Sequence, residues 1–206
     1  SPDRILNGTY GCYALIVYKE KDQLCLARIC LSIQKICATI LRSDIPLGMN
    51  MNSIIQEELP GNQDLRDQLM DMLTDQELAY KLPGNNPTLG ELCEEMGLIQ
   101  QVYTHSFKTF RHDWAYCDSK PEMPNSVASL KVWYKKLDTQ LVEALSGLSE
   151  ADIHAKQIDR RHGFTPSPYV QFQIYREAVL IFYAKASIYL KALEKPYSEE
   201  WKRWVG

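Results

Sequence analysis

The stretch YREAVLIFYAKASIYLKAL, residues 175–193, is apolar enough to be protein interior, yet it holds Glu177 in its first turn and Lys185 in its middle. A lysine in such a helix has two physical options. Buried, its ammonium needs a carboxylate, because stripping an ion of water is costly and an unpaired amine gives up its proton. Snorkelling, it lays its stem along apolar neighbours while the head reaches water or a surface carboxylate. The buried option makes Glu177 and Lys185 parts of a polar pocket, with the phenols of Tyr175, Tyr183 and Tyr103 close by.

Other residues offer weaker chemistry. His105 and His112 are seven apart and could share a helix face, while His154 and His162 fall in a polar crossing. No pair shows the i, i+4 spacing of a zinc-binding helix, so no native metal is expected. The run RHDW, residues 111–114, with Cys117 nearby suggests a His/Asp/Cys nucleophile system. Consecutive helical residues point about 100° apart, however, so polar packing at a helix end is the simpler reading. Cys93 lies one residue from a core position and reads as a small apolar filler.

Composition narrows the class. The chain has 206 residues, 45% of them hydrophobic, and a net charge of −3. That describes a globular protein with one core plus an appendage. It lacks the basic excess that binds nucleic acid through phosphate neutralisation, so no nucleic-acid partner is expected. The six cysteines form no CxxC pair and no Cys/His cluster, which fits reduced thiols in a cytoplasm. The run LCLARICLSIQKICATIL is broken by Arg28, Gln34 and Lys35, whereas a membrane span wants about 20 nearly uncharged residues. It also lacks the basic start and small-residue end of a secretory signal. We expect a cytoplasmic protein without a membrane partner.

The elements that must position these residues are helical from residue 62 onward. Residues 1–50 differ: they hold Cys12, Cys25, Cys30 and Cys37 and show no clean period. They read either as an arm or hairpin, YGCYALIVYKEKDQLCLARI, or as an extension upstream of a start at Met49 or Met51. Beyond them the spacing predicts a helix over 63–81 behind Asn62, ended by LPGNNP. A second helix opens on the Thr88/Glu91 capping box and carries the stripe Leu89, Leu92, Met96, Ile99, Tyr103, Phe107, Phe110 and Trp114. A third covers 126–146, Ser149 and Asp152 start a short turn, and the last runs over 169–195. The tail YSEEWKRWVG caps one end with Trp201 and Trp204. Four long amphipathic helices without a strand pattern imply an all-α antiparallel four-helix bundle over residues 51–206.

A first helix ending in a Pro/Gly turn, then PTLGELCEEMG, then a last helix closing in YLKALEK before an aromatic tail resembles the DinB/YfiT-like family, classed as metalloenzymes. The resemblance covers roughly residues 55–206. It implies a DinB-like four-helix bundle with a divalent metal on three histidines, one on the second helix and two, four apart, on the last. It also implies the transfer of low-molecular-weight thiols or the isomerisation of thiol adducts. Carried over residue by residue, the motif E-x-x-x-H counted from Glu91 falls on Glu95. The motif H-x-x-x-H-x-G-Q, anchored on Tyr189, falls on Ala178, Phe182 and Lys185. A slip of one residue offers Glu177 but leaves Ile181 as its partner.

The expectation is therefore a divergent bundle without the three-histidine site and without a cofactor. In it a Lys185/Glu95 interaction replaces the metal, and Glu95, Glu177, Lys185, Tyr103, Tyr175 and Tyr183 bind a small molecule. Two alternatives remain open: a metal-dependent thiol-transferase-like enzyme, and a non-catalytic structural or regulatory protein. A homodimer is expected, with the apolar arm of residues 1–50 packed at its interface.

Overall fold

The computed structural model describes residues 53–160 and 163–205. The hairpin or extension proposed for residues 1–50, and His162, lie outside the described residues. A π-helical turn, Ile54–Glu58, leads into α1, Leu59–Met72. Then follow α2 (Asp75–Leu78), α3 (Leu89–Thr109), α4 (Val127–Ser146), α5 (Glu150–Ala155), α6 (Pro168–Ala192) and α7 (Glu199–Trp204). Among the described residues there is no strand, only the isolated bridges Lys81–Thr88 and Arg111–Asp159.

The four long helices α1, α3, α4 and α6 enclose one core. α3 lies between α4 and α6, and α1 packs on α4 and α6. The inner face of α3 is Leu89, Leu92, Met96, Tyr103 and Phe107; that of α4 is Leu130, Trp133, Leu137, Leu141 and Leu145. Both repeat every three or four residues, and that of α3 follows the predicted stripe as far as Phe107, with Ile99 half-buried. One glycine sets how closely α3 and α4 approach: a Cβ at Gly97 would lie 2.2 Å from Cζ3 of Trp133. That indole occupies the missing side chain's place, with its Nε1 donating to Ser119 Oγ at 3.1 Å.

The predicted boundaries hold at most caps and fail at two. Thr88 accepts from Glu91 N at 3.1 Å while the Glu91 carboxylate accepts from Thr88 N at 2.7 Å, the expected reciprocal pair. The first helix, however, starts earlier and breaks at Leu73–Thr74, so Asn62 is interior and donates from its amide to Glu58 O at 3.0 Å. The break is chemical: Glu77 accepts from both Thr74 N and Thr74 Oγ1, which starts the new helix α2. Glu77 also meets Lys195 at 2.6 Å, tying α2 to the chain beyond α6.

The second predicted stripe overruns its helix. α3 ends at Thr109, and Phe110 adopts a left-handed conformation at φ 56. That turn reverses the chain, so Trp114 is 46% exposed rather than core. The tail is similarly split: Trp201 is fully buried, whereas Trp204 is 60% exposed.

Candidate functional site

Two polar constellations sit in and at the edge of the core. The inner one is a closed ring of three side chains. Arg66 of α1 donates through Nη1 to Gln100 Oε1 of α3 at 3.0 Å and through Nη2 to Asp138 Oδ2 of α4. Gln100 Nε2 closes the ring by donating to Asp138 Oδ1 at 2.9 Å. Arg66 is 2% exposed and its guanidinium lies 4.4 Å from the centre of the Tyr134 ring. Burial opposes its charge most, but its neighbours together, Asp138 foremost, outweigh that penalty, so its pKa is raised and the cation is permanent.

Phenols surround this ring. Tyr134 donates to Cys93 O at 2.6 Å and Tyr183 to Asn62 O. Burial raises the pKa values of Tyr134, Tyr175 and Tyr183, so all three are neutral. Burial also pushes the Cys93 thiol up to about 12, as fits an inert filler.

The outer constellation lies where α3 ends and α6 begins. The loop 156–167 folds back on itself through Ile158 N to Pro166 O, 2.8 Å, and Arg160 N to Phe164 O, 3.2 Å. It is pinned to the turn after α3 by Asp159 N to Phe110 O, 2.9 Å, and His112 N to Asp159 O, 2.8 Å. These bonds bring Arg160 and His112 to Tyr103. Arg160 Nη1 donates to Gln171 Oε1 at 2.8 Å and reaches the Tyr103 hydroxyl at 3.5 Å. Its guanidinium is 5.6 Å from the ring centres of both Tyr103 and Trp114. The His112 ring stands edge-on to Tyr103 at 5.0 Å and to Trp114 at 4.2 Å.

Hydrogen-bond logic fixes the His112 tautomer. Arg160 is only a donor, so the Gln171 carbonyl must face it and the Gln171 NH₂ must face Ser106 Oγ and His112 Nδ1, each at 2.9 Å. Nδ1 is then an acceptor and the proton sits on Nε2, a buried atom without a hydrogen-bond partner among the described residues. Burial, reinforced by the Arg160 charge and opposed weakly by Asp113, pushes the pKa from 6.5 down to about 3.

A pH dependence follows. A group neutral in the fold but titrating near 6.5 when unfolded contributes stability that is complete above pH 6.5 and is lost as pH falls toward 3. The loss is at most about 1.4 kcal/mol per pH unit across that window. Urea unfolding at pH 7, 5 and 4 measures it, and His112→Phe is expected to flatten the profile relative to the parent chain. An equally steep profile in the variant would assign the acid sensitivity to carboxylates instead.

The predicted site residues divide between these places. Tyr103 and Tyr175 meet, with ring centres 5.4 Å apart, and link the outer group to the inner. Tyr183 lies further along α6, against Trp201 at 5.6 Å. Glu95 and Glu177 are half-buried on α3 and α6. Lys185 is exposed, and among the described residues no ion pair joins it to Glu95, the neighbouring Glu94 pairing instead with Lys120 at 3.1 Å. The expected Lys185/Glu95 pair is therefore corrected. α6 turns Phe182, Tyr183 and Ala186 inward, which directs residue 185 outward.

The sequence does not single out Arg66, Gln100, Asp138, Arg160 or Gln171, and it offers His112 only beside His105 and within RHDW, not as a neighbour of Tyr103 and Gln171. A signal existed for three of them. Arg66 is in phase with Met70 and Leu73, Gln100 with Met96 and Tyr103, and Asp138 with Tyr134 and Leu141, so each interrupts a buried stripe. His112 and Arg160 carry no such phase, because a turn and a loop place them.

The positions to which the family motif carries do not supply histidines among the described residues. Ala178 is half-buried and Phe182 is buried, neither can ligate, and among the described residues no group of three His, Cys, Asp or Glu converges. Nor is any described helix long and apolar enough to cross a membrane. His105 instead stacks on Tyr116 at 3.8 Å, and Cys117 is exposed with its thiol 3.8 Å from Ser119 O.

An all-α bundle of four long helices, crossed by these two polar groups, has a DinB-like fold. The crystal structure of a DinB-like protein, YjoA from Bacillus subtilis, superposes with a TM-score of 0.56 at 15% sequence identity. The match covers 71% of this chain and 94% of that one. No family model matches the sequence. No curated protein matches it either.

Proposed function

We propose that this bundle binds a small planar carboxylate without a metal, at the outer group built on Tyr103. The observation that carries the reading is the Arg160 guanidinium, fixed by Gln171 beside the rings of Tyr103 and Trp114 and next to a buried, neutral His112. Arg160 has further donors beyond the Nη1 used by Gln171, and the His112 Nε2–H is a second donor. Two donors flanked by ring faces suit an acceptor-only anion carried on a flat apolar body. Trp114, almost half exposed, supplies a surface that such a body would cover. Tyr175 and Tyr183 keep their place in this reading as neutral phenols deeper in the bundle, while Glu95, Glu177 and Lys185 lie outside it.

Titration with benzoate, benzamide and acetate, followed by calorimetry and tryptophan fluorescence, tests the proposal. Benzoate is expected to bind saturably and to lose at least about tenfold in affinity, or 1.4 kcal/mol, in Arg160→Leu. Arg160→Lys should not restore it, because an ammonium lacks the planar fork. Equal binding of benzoate and benzamide, or benzoate binding unchanged in the folded Arg160→Leu protein, would sink the idea.

A further inference from the structure

Four residues of α3 at helical spacing, Gln101, Thr104, His105 and Lys108, line a cleft on the side of that helix turned away from Tyr103. Tyr116, Asp118 and Gln140 complete it, so it lies between α3, α4 and the crossing that joins them. Measured out to its open mouth the cleft holds about 260 Å³. That is just below the range that takes drug-sized ligands and suits a body of a few heavy atoms.

The crossing is fixed to α3 by side chains of the same stripe. Gln101, 2% exposed, accepts at Oε1 from Asp118 N at 2.9 Å and Ser119 N at 2.8 Å, and donates from Nε2 to Ser119 O at 2.8 Å. The His105 ring stacks on Tyr116. Asp118 is thereby set at the Gln101 end of the stripe, while Lys108 stands two helical turns further along.

Three groups in this cleft lack the partners their chemistry calls for. Among the described residues neither Lys108 nor Asp118 is in an ion pair. Thr104, between them on the stripe, is 7% exposed, and its hydroxyl has no hydrogen-bond partner among the described residues. A helical threonine can donate to the carbonyl four residues back, as Thr109 does to His105 O, and Thr104 does not. A buried hydroxyl left unpaired weakens a fold. A cation, an anion and a hydroxyl along one cleft suit a ligand that carries both charges. Its ammonium would meet Asp118, its carboxylate Lys108, and the Thr104 hydroxyl would donate to that carboxylate. A ligand with a single charge would meet a like charge at the other end.

We infer that this cleft binds a small aminocarboxylate zwitterion, with Asp118 and Lys108 as its charged contacts and Thr104 as its buried one. The site is separate from the one proposed at Tyr103 and does not depend on it.

Amide NMR correlation spectra of the full chain, titrated with glycine, β-alanine and γ-aminobutyrate, test the inference, with acetate and methylamine as single-charge controls. At least one zwitterion is expected to shift the amides of Asp118 and Ser119 and to saturate with a Kd at or below about 1 mM. Each control should bind at least about tenfold more weakly. Lys108→Met and Asp118→Asn are each expected to weaken zwitterion binding by at least about tenfold. Thr104→Val keeps the side chain's shape and removes only the hydroxyl. It should weaken binding while leaving the Tm of the unliganded protein unchanged or raised, a combination that a purely structural hydroxyl would not give. Failure of every zwitterion to saturate, equal binding of a control, or an affinity indifferent to both charge variants would overturn the assignment. So would displacement by excess benzoate, which would assign the ligand to Arg160 instead.

Discussion

Asp138→Ala is expected to lower the free energy of unfolding by about 3–5 kcal/mol, the cost of removing one partner from a buried ion pair. Arg66 is 2% exposed and cannot shed its proton at any accessible pH. Without Asp138, the guanidinium keeps, among the described residues, Gln100 as its hydrogen-bond acceptor and the exposed Asp67 carboxylate at 4.0 Å, and the Gln100 NH₂ loses its own acceptor. Asp138 is 20% exposed, so water entering the vacated space should bring the loss toward the lower end of that range. Urea unfolding followed by circular dichroism measures it. A loss under about 1 kcal/mol would place the pair in the class of exposed ion pairs and contradict the burial. Replacing the whole ring, as in Arg66→Met/Gln100→Leu/Asp138→Leu, should recover most of the loss, because packed apolar groups often match or exceed a buried ion pair.

Trp201→Ala should cost a comparable amount, about 3–5 kcal/mol. The indole is fully buried, donates from Nε1 to Leu65 O at 2.9 Å, and stands edge-on to Tyr183. Its removal opens a cavity at the α1/α6 contact and leaves one carbonyl lone pair unused. Thermal unfolding should show a Tm lower by roughly 10 °C. Trp204→Ala, three residues on and 60% exposed, should change stability by no more than about 0.5 kcal/mol and serves as the control. Equal effects from the two substitutions would mean that α7 does not dock through Trp201.

Much of the bundle is legible in the sequence because three of its four long helices are amphipathic. The stripes of α3 and α4 point unambiguously inward, and caps such as Thr88/Glu91 and Ser149/Asp152 mark where helices start. α6 is the exception. It is apolar nearly all round, so its phase is not set by hydrophobicity alone, and the buried side proves to be the one rich in Tyr and Phe rather than the one rich in Ile. Without that distinction the sequence lets Lys185 face inward, whereas it is exposed. Tyrosines can line this interior because their phenols donate to nearby carbonyls, as Tyr183 does at Asn62 O and Tyr189 at Pro87 O. The outer group was illegible for a different reason. Its members come from a helix end, a turn and a loop, and only the left-handed turn at Phe110 and the 156–167 fold-back bring them together. No periodicity encodes a meeting of that kind.

The indole of Trp133 seated on Gly97 has a mechanical meaning. A bulky ring lodged in a one-residue notch acts as a detent: α3 and α4 cannot slide past each other without the ring climbing over the flanking side chains of α3. The hydrogen bond from Tyr134 to Cys93 O latches the same pair of helices next to that notch. Half of the bundle is thus a stiff plate.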